Sequence, residues 1–286
     1  MKYRVALGLL VLNTALTAQT QPVPQAGFEV VSVKAHKQGD NARFFPQFLP
    51  GGRFRSAGAP LKMLIAIAYN LGYQSVRLSG GPAWINSPEG VYDIEATAPQ
   101  SALPPGLPSN VREERMRQML QTLLADQFKL KVRAETKEIP TYAIVVGKNG
   151  LKLEKAEIEE KNCPAADAEP TPSGIRCHAI MGGRGRGIHG EAISLSDVAH
   201  FVESWTDHPM VDKTGIPGLF NIQTKGWMPM QPGPPPAAGA KAEDGSDMAD
   251  VPTIFALFES LGLKLEVQKM PVEVFVIEHA EKPTEN

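Results

Sequence analysis

From residue 185 onward the chain runs through an order of elements it has already used between 50 and 150, and this repetition limits its fold more than any other feature. In the first pass, Arg53 to Ser56 reads as a short strand. Pro60 then opens a helix with Leu61, Leu64, Ile65 and Ala68 on one face and Gly72 as its stop, and Val91 to Ala96 reads as a further strand. Val111 to Gln127 is a second helix that turns Met116, Met119, Leu120, Leu123 and Leu124 inward, and two strands, Phe128 to Lys137 and Thr141 to Val146, close the pass. In the second pass, Ser194 caps a helix that carries Leu195, Val198, Ala199 and Val202 at the same spacing. Phe220-Asn221-Ile222 stands where Tyr92-Asp93-Ile94 stood, Pro252 to Leu261 is a helix, and LKLEV (263–267) answers FKLKV (128–132). Met270-Pro271 repeats the turn at Ile139-Pro140. The fold class predicted is α+β, with two tandem copies of a β-α-β-α-ββ module.

The N-terminus has the order of a cleavable signal peptide: Lys2 and Arg4, an apolar run from Val5 to Leu12, then Thr14-Ala15-Leu16-Thr17-Ala18. The run is shorter than the roughly 20 apolar residues that span a bilayer, and no later segment approaches that length; an uncleaved anchor is the rival reading. Removing residues 1–18 takes away two positive charges and no negative one, moving the formal net charge from -2 to -4 and leaving no basic field for nucleic acid. The reading is an exported protein, periplasmic or secreted, with no transmembrane segment after cleavage. The mature chain divides into an N-terminal strand and loop (19–49, the strand being FEVVSVK from Phe28 to Lys34), a first module (50–150), a linker (151–184), and a second module (185–286) with an internal Pro/Gly-rich stretch at 228–250.

Cys163 and Cys177 are the two cysteines, and they bracket a Pro/Ala/Gly-rich loop in a chain bound for an oxidising compartment. A disulfide is the simple reading, and closing a loop of this size contributes about 3 kcal/mol through the unfolded state. A reactive or metal-binding pair is the alternative, against which stands the lack of CxxC spacing.

Several motifs invite chemistry. Asp212-Lys213-Thr214-Gly215 spells part of the phosphorylation motif of cation-pumping ATPases, but Ile216 replaces the next threonine; Lys213-Thr214-Gly215 also occurs in β-lactamases, whose SxxK is missing from the chain. Both reduce to a turn. Gly185, Gly187 and Gly190 satisfy GxGxxG without the preceding strand and following helix of a dinucleotide site. Asp197, His200, Ser204 and Asp207 share a helix face, which reads as a solvated face rather than a triad. The six histidines lack metal-ligand spacing, and Glu243, Asp244, Asp247 and Asp250 lack the order of a calcium loop. No catalytic residue, metal or cofactor is assigned. Candidate partner-binding residues are Phe44, Phe45, Phe48 and Trp84, as loop aromatics that either anchor a partner or close over the first core, and Arg184 and Arg186, which are placed to contact an anionic glycan or lipid head group.

The runs GGRF (51–54), GGPAWI (80–85), MLQTLLADQFKLKV (119–132), VDKTGIPGLFNI (211–222) and LGLKLEVQKMPVEVFVIEHAEKPTEN (261–286) resemble a large family of exported, uncharacterised proteins expanded in soil acidobacteria. The resemblance covers nearly all of the mature chain. It implies a domain of unknown function, with some members joined to membrane peptidase sensors. Each module also resembles the short N-terminal domain shared by secretins and TonB-dependent receptors, in the helix at Leu195 to Trp205 and the hairpin at Gly262 to Val267, which implies protein partners. The leading expectation is a non-catalytic envelope module that binds an envelope protein or polymer. A secreted hydrolase with an unrecognised site is the alternative, and a sensory role is a third.

Overall fold

A computed structural model describes residues 27–37, 39, 44–107, 109–163, 176–183, 185–228 and 251–283. The segment read as a signal peptide, Arg184, and positions 229–250 of the Pro/Gly stretch lie outside them. Four helices and twelve strands occur among the described residues, and the fold is α+β. The first half contains β1 (Val30–Ala35), β2 (Phe44–Leu49), β3 (Arg53–Pro60), α1 (Leu61–Ala68), β4 (Leu78–Gly80), β5 (Val91–Thr97), α2 (Ser109–Phe128) and β6 (Lys131–Val146). The second contains β7 (Glu154–Lys155), β8 (Met181–Gly183), β9 (Gly187–Ile193), α3 (Leu195–Glu203), β10 (Met210–Asp212), β11 (Phe220–Gln223), α4 (Ile254–Ser260) and β12 (Leu263–His279).

These elements build two lobes on either side of a shared sheet. The first outer sheet has the order β1-β5-β3-β2, and the second has β7-β11-β9-β8. The region 19–49 therefore supplies two strands to the first lobe, and the linker 151–184 supplies two to the second. The expected loop before Gly52 becomes β2, because Gly51 and Gly52, at φ +77 and +71, turn the chain back onto β3. Each outer sheet also carries the same irregularity. Gly58, at φ +68, donates its N–H to Asp93 Oδ1 at 2.8 Å, and Ala192, at φ +52, donates to Asn221 Oδ1 at 3.1 Å. In both cases a side chain on the neighbouring strand takes up the amide that the bulge removes from the ladder.

The shared sheet has the order β10-β6-β12-β4. The sequence predicts a hairpin that turns at Ile139-Pro140, with an equivalent turn at Met270-Pro271. Instead β6 and β12 each run straight through, paired antiparallel from Leu263 opposite Val146 to His279 opposite Lys131. Neither point offers a residue suited to the left-handed conformation of a tight hairpin. The prolines cost no ladder bond here. Tyr142 N–H points away from β12 to Pro209 O, and Phe275 N–H points away from β6 to Arg77 O, so the nitrogens of Pro140 and Pro271, two and four residues back, face outward beyond the ends of β10 and β4.

Because they run straight, the two strands exchange ends. β6 starts beside the first core, to which α1 and α2 give Leu61, Leu64, Ile65, Met119, Leu120 and Leu124, and ends by placing Tyr142 and Ile144 in the second. β12 starts in the second core, with Leu263 and Leu265 beside Val198, Val202 and Phe258, and ends by placing Phe275 and Ile277 in the first. On the far edges, β4 of the first half pairs parallel to β12, and β10 of the second pairs parallel to β6. The correspondence that carries Met210 onto Leu78 and Tyr142 onto Phe275 maps the β6–β12 ladder onto itself about the Glu138–Pro271 pair.

Each fully buried large apolar side chain contributes about 1.5 to 3 kcal/mol, so neither core is complete without the other half. A mature chain opened between the exposed Lys148 and Asn149 keeps its two fragments together as a folded 1:1 complex, and each fragment alone lacks a cooperative unfolding transition. Circular dichroism and light scattering of the separate and mixed fragments test this; a folded monomer of either one contradicts it.

Candidate functional site

Two short loops meet where the lobes touch. In the first lobe, α1 ends at Ala68, and Asn70, just past the Tyr69 cap, takes at φ +52 the left-handed helix stop predicted for Gly72. Gly72 serves instead as a point of close approach. It lies against Ser204, just past α3, and a Cβ there would overlap the Ser204 hydroxyl and stand 3.2 Å from its backbone nitrogen. This contact brings the next residues together. Tyr73 and Trp205 have ring centroids 6.0 Å apart with planes at 81°. Phe45 of β2 adds a ring on the far side of Tyr73, at 6.5 Å and 88°, while Phe201 and Trp227 back Trp205 at 5.0 and 5.8 Å. The row runs from the surface, where Phe45 is 61% exposed, to the fully buried Trp227.

Above this row lies a cleft of about 280 Å³, lined by Tyr73, Gln74 and Trp205 and by Gly182, Gly183, Gly185 and Arg186 of the glycine-rich loop. The loop is tied to itself: Arg186 N–H donates to Gly183 O at 3.0 Å, its guanidinium Nη2 donates to Gly182 O at 3.3 Å, and His189 Nε2 donates to Arg186 O at 2.6 Å. A larger hollow of about 750 Å³ lies along the second outer sheet, where Lys152 and Arg176 balance Glu154 and Glu191, so its lining has no dominant charge.

A buried carboxylate holds the loops in place. Glu203, at the end of α3, is 1% exposed. Its Oε1 accepts from the Ser75 hydroxyl and from Arg77 Nε at 2.9 Å, and its Oε2 accepts from Met210 N at 3.2 Å. Ser75 and Arg77 follow Gln74 by one and three residues, so their bonds to Glu203 tie the chain leaving the first-lobe wall to the end of α3. Tyr142 reinforces the same region by donating to Asp207 Oδ1 at 3.0 Å; burial first, and then that hydrogen bond, push its hydroxyl up to about 12.

The polar row on α3 is divided among structural roles, and it is not the solvated face that the sequence predicts. Asp197 closes a capping box with Ser194 and binds His178 Nδ1 at 2.8 Å; burial pushes the His200 imidazole below its usual range; Ser204 meets Gly72; Asp207 takes Tyr142. Ser194, Asp197 and His178 form a connected chain in the wrong order for nucleophilic catalysis. Asp197 Oδ2 accepts from both the Ser194 hydroxyl, at 2.7 Å, and His178, so the carboxylate, and not the imidazole, faces the hydroxyl. Asp212 is likewise structural, accepting from Thr214 N–H and hydroxyl in a local turn.

His178 follows Cys177 directly. The Cys163–Cys177 disulfide is present, with Cα atoms 5.8 Å apart. His178 adopts φ +62 and reaches Asp197 and, through Nε2, Glu160 Oε1 at 2.9 Å. The hydrogen bond to Asp197 raises its pKa to about 9 despite the opposing effect of burial. Burial works to raise Asp197, and the hydrogen bonds from His178 and Ser194 outweigh it, holding the carboxyl below its usual value.

The sequence-predicted partner residues do not form one surface. Arg186 lines the cleft, and Phe45 stands beside it, against Tyr73. Phe48 packs on Phe54 at 5.4 Å, and Trp84 lies half-buried on the first core with Lys282 Nζ 5.8 Å over its ring. Phe44 sits in β2 opposite Ala57, its side chain outside the described set, as is Arg184. Sequence reasoning missed Tyr73, Gln74, Ser75, Arg77 and Glu203. A signal existed in Gly72, but a close-approach glycine followed by an aromatic is visible only once its partner loop is known.

The molecule is thus a two-lobed α+β protein with exchanged strands and an aromatic cleft at the lobe junction. It belongs to a family described as protein of unknown function (DUF3738), whose model matches residues 62–280, from α1 to just past β12. No curated protein and no solved structure matches the chain. Among the described residues no helix is long and apolar enough to cross a membrane.

Two variants probe this architecture. Arg77→Ala strands the Glu203 carboxylate and lowers the unfolding free energy by about 3 kcal/mol in urea titration, with Arg77→Lys losing less. For His178 the folded pKa lies above the ordinary 6.5, so its stabilisation is fully present below pH 6.5 and is lost as pH rises through about 9. His178→Asn, which tolerates the left-handed backbone, abolishes that dependence. Melting temperatures of both proteins across this range give a difference curve that falls with pH; a flat one contradicts the clamp.

Proposed function

We propose that the protein is a non-catalytic, exported binding module of the cell envelope, and that its ligand or partner sits in the cleft between the lobes. The observation that carries this reading is the aromatic row from Phe45 through Tyr73 to Trp205, half open to solvent at the junction. Exposed aromatics on a rigid frame supply large contact area at low entropic cost. The cleft is preorganised: Gly72, Glu203 and Trp227 fix its walls before anything binds. Export is supported by the basic, apolar and small-residue order of residues 2–18 and by the disulfide, which persists in oxidising compartments. At Ser194 the hydroxyl faces the Asp197 carboxylate rather than the His178 imidazole, which speaks against a serine–histidine–aspartate nucleophile at that point.

We also infer that the two lobes are copies of one module. The matching strand orders, the exchanged long strands, and the paired bulges at Gly58/Asp93 and Ala192/Asn221 support this. On this reading the copies span roughly 28–146 and 153–279, wider at the N-terminal side than the repeat seen in sequence. A cleft formed by equivalent loops would have arisen with the fusion.

Replacing Phe45 with a photoreactive benzoylphenylalanine in the native envelope tests the binding reading. Phe45 yields a reproducible cross-linked component, while the same group at Phe255, exposed on the second lobe, does not. Identical products from both positions, or none from Phe45, count against it.

A further inference from the structure

We propose that the cleft binds a pyranose ring of a glycan, set against Tyr73 and Trp205, with its hydroxyls held by the side chains of Gln74 and Arg186. This rests on the cleft being a binding site and names its ligand class. A pyranose has a face of polarised C–H groups and a rim of hydroxyls, so it needs a flat aromatic wall beside a band of donors and acceptors. The negative π-face of an aromatic ring attracts those C–H groups. Tyr73 and Trp205, nearly perpendicular, offer a wall and a floor.

The surroundings keep that corner open and rigid. Gly183, at φ +142, runs beside the indole: a Cβ there would stand 3.4 Å from Trp205 Cζ2 and 3.9 Å from Cη2, and its backbone conformation favours glycine. Phe201 and Trp227 hold Trp205 from behind. Gln74 supplies an amide with donor and acceptor, and Arg186 a planar fork of donors, the pair of groups that suits neighbouring hydroxyls or a sugar carboxylate. The cleft volume of about 280 Å³ suits a single ring better than a folded partner segment. Phe45, beyond Tyr73 and exposed, offers a platform for the next sugar of a chain.

A peptide in extended form is disfavoured by the same geometry. Strand addition needs a free row of backbone groups, whereas the loop lining the cleft uses Arg186 N–H and the Gly182 and Gly183 carbonyls internally.

The test is titration of the mature, disulfide-bonded protein with a chitin trimer, a cellulose trimer and a galacturonate trimer, followed by calorimetry and tryptophan fluorescence. The expected result is saturable binding to at least one of them. Tyr73→Ala weakens it at least about tenfold, Tyr73→Phe retains it, Arg186→Ala weakens it, and Phe255→Ala leaves it unchanged. Tyr73→Phe guards against a folding defect, since it keeps the ring and loses only the hydroxyl. No saturable binding to any of the three sugars, or binding that Tyr73→Ala leaves intact, overturns the proposal. If the Phe45 cross-linker captures a protein while no sugar binds, the glycan assignment fails and the binding reading stands; if neither occurs, both fail.

Discussion

The rest of the structure depends on the pairing of β6 with β12. Each strand begins in one lobe and ends in the other, so pairing them also places Tyr142 and Ile144 in the second core and Phe275 and Ile277 in the first. Phe275 and Ile277 complete a core whose helices lie far earlier in the chain, and Tyr142 and Ile144 complete one whose helices come later. Lobes joined in this way cannot separate without unpairing strands and exposing both cores together. The junction is therefore rigid, unlike a linker between independent domains.

That rigidity is what allows a site to form from loops. Gly72 against Ser204 and Glu203 against Ser75 and Arg77 are contacts between lobes, and they position Tyr73 and Trp205 within a few ångströms of each other. A buried carboxylate is a weak stabiliser when measured against an apolar replacement. Here it is better regarded as a registration device: Met210 N of its own half holds one oxygen, while Ser75 and Arg77 at the end of the α1–β4 loop reach the other from the first lobe.

On the second lobe, His178 plays a related part at a smaller scale. The disulfide closes the loop that precedes β8, and His178 fastens the end of that loop to the α3 cap through Asp197. The glycine-rich stretch that follows is thus held at its start, and His189 secures it at its far end.

Much of the fold could be read from residues close together in sequence. Apolar spacing placed α1, α2, α3 and α4, Ser194 marked a cap that the capping box with Asp197 bears out, and the two cysteines implied the bond they form. These features are local: a helix face, a cap and a short covalent loop are set by neighbours within a few positions. The strands β2, β4, β7, β8 and β10 were missed because they are short or irregular and gain stability from strands far along the chain. The straight course of β6 and β12 was missed for the same reason, since Pro140 resembles a turn until the outward direction of its nitrogen is known. What the sequence determined was the type and order of the helices and the period of the long strands. Only the tertiary structure decided where those strands ended, and hence that Tyr73, Trp205 and Arg186 share one cleft, because burial of Phe275 and Tyr142 in opposite cores outweighs any local preference to turn back.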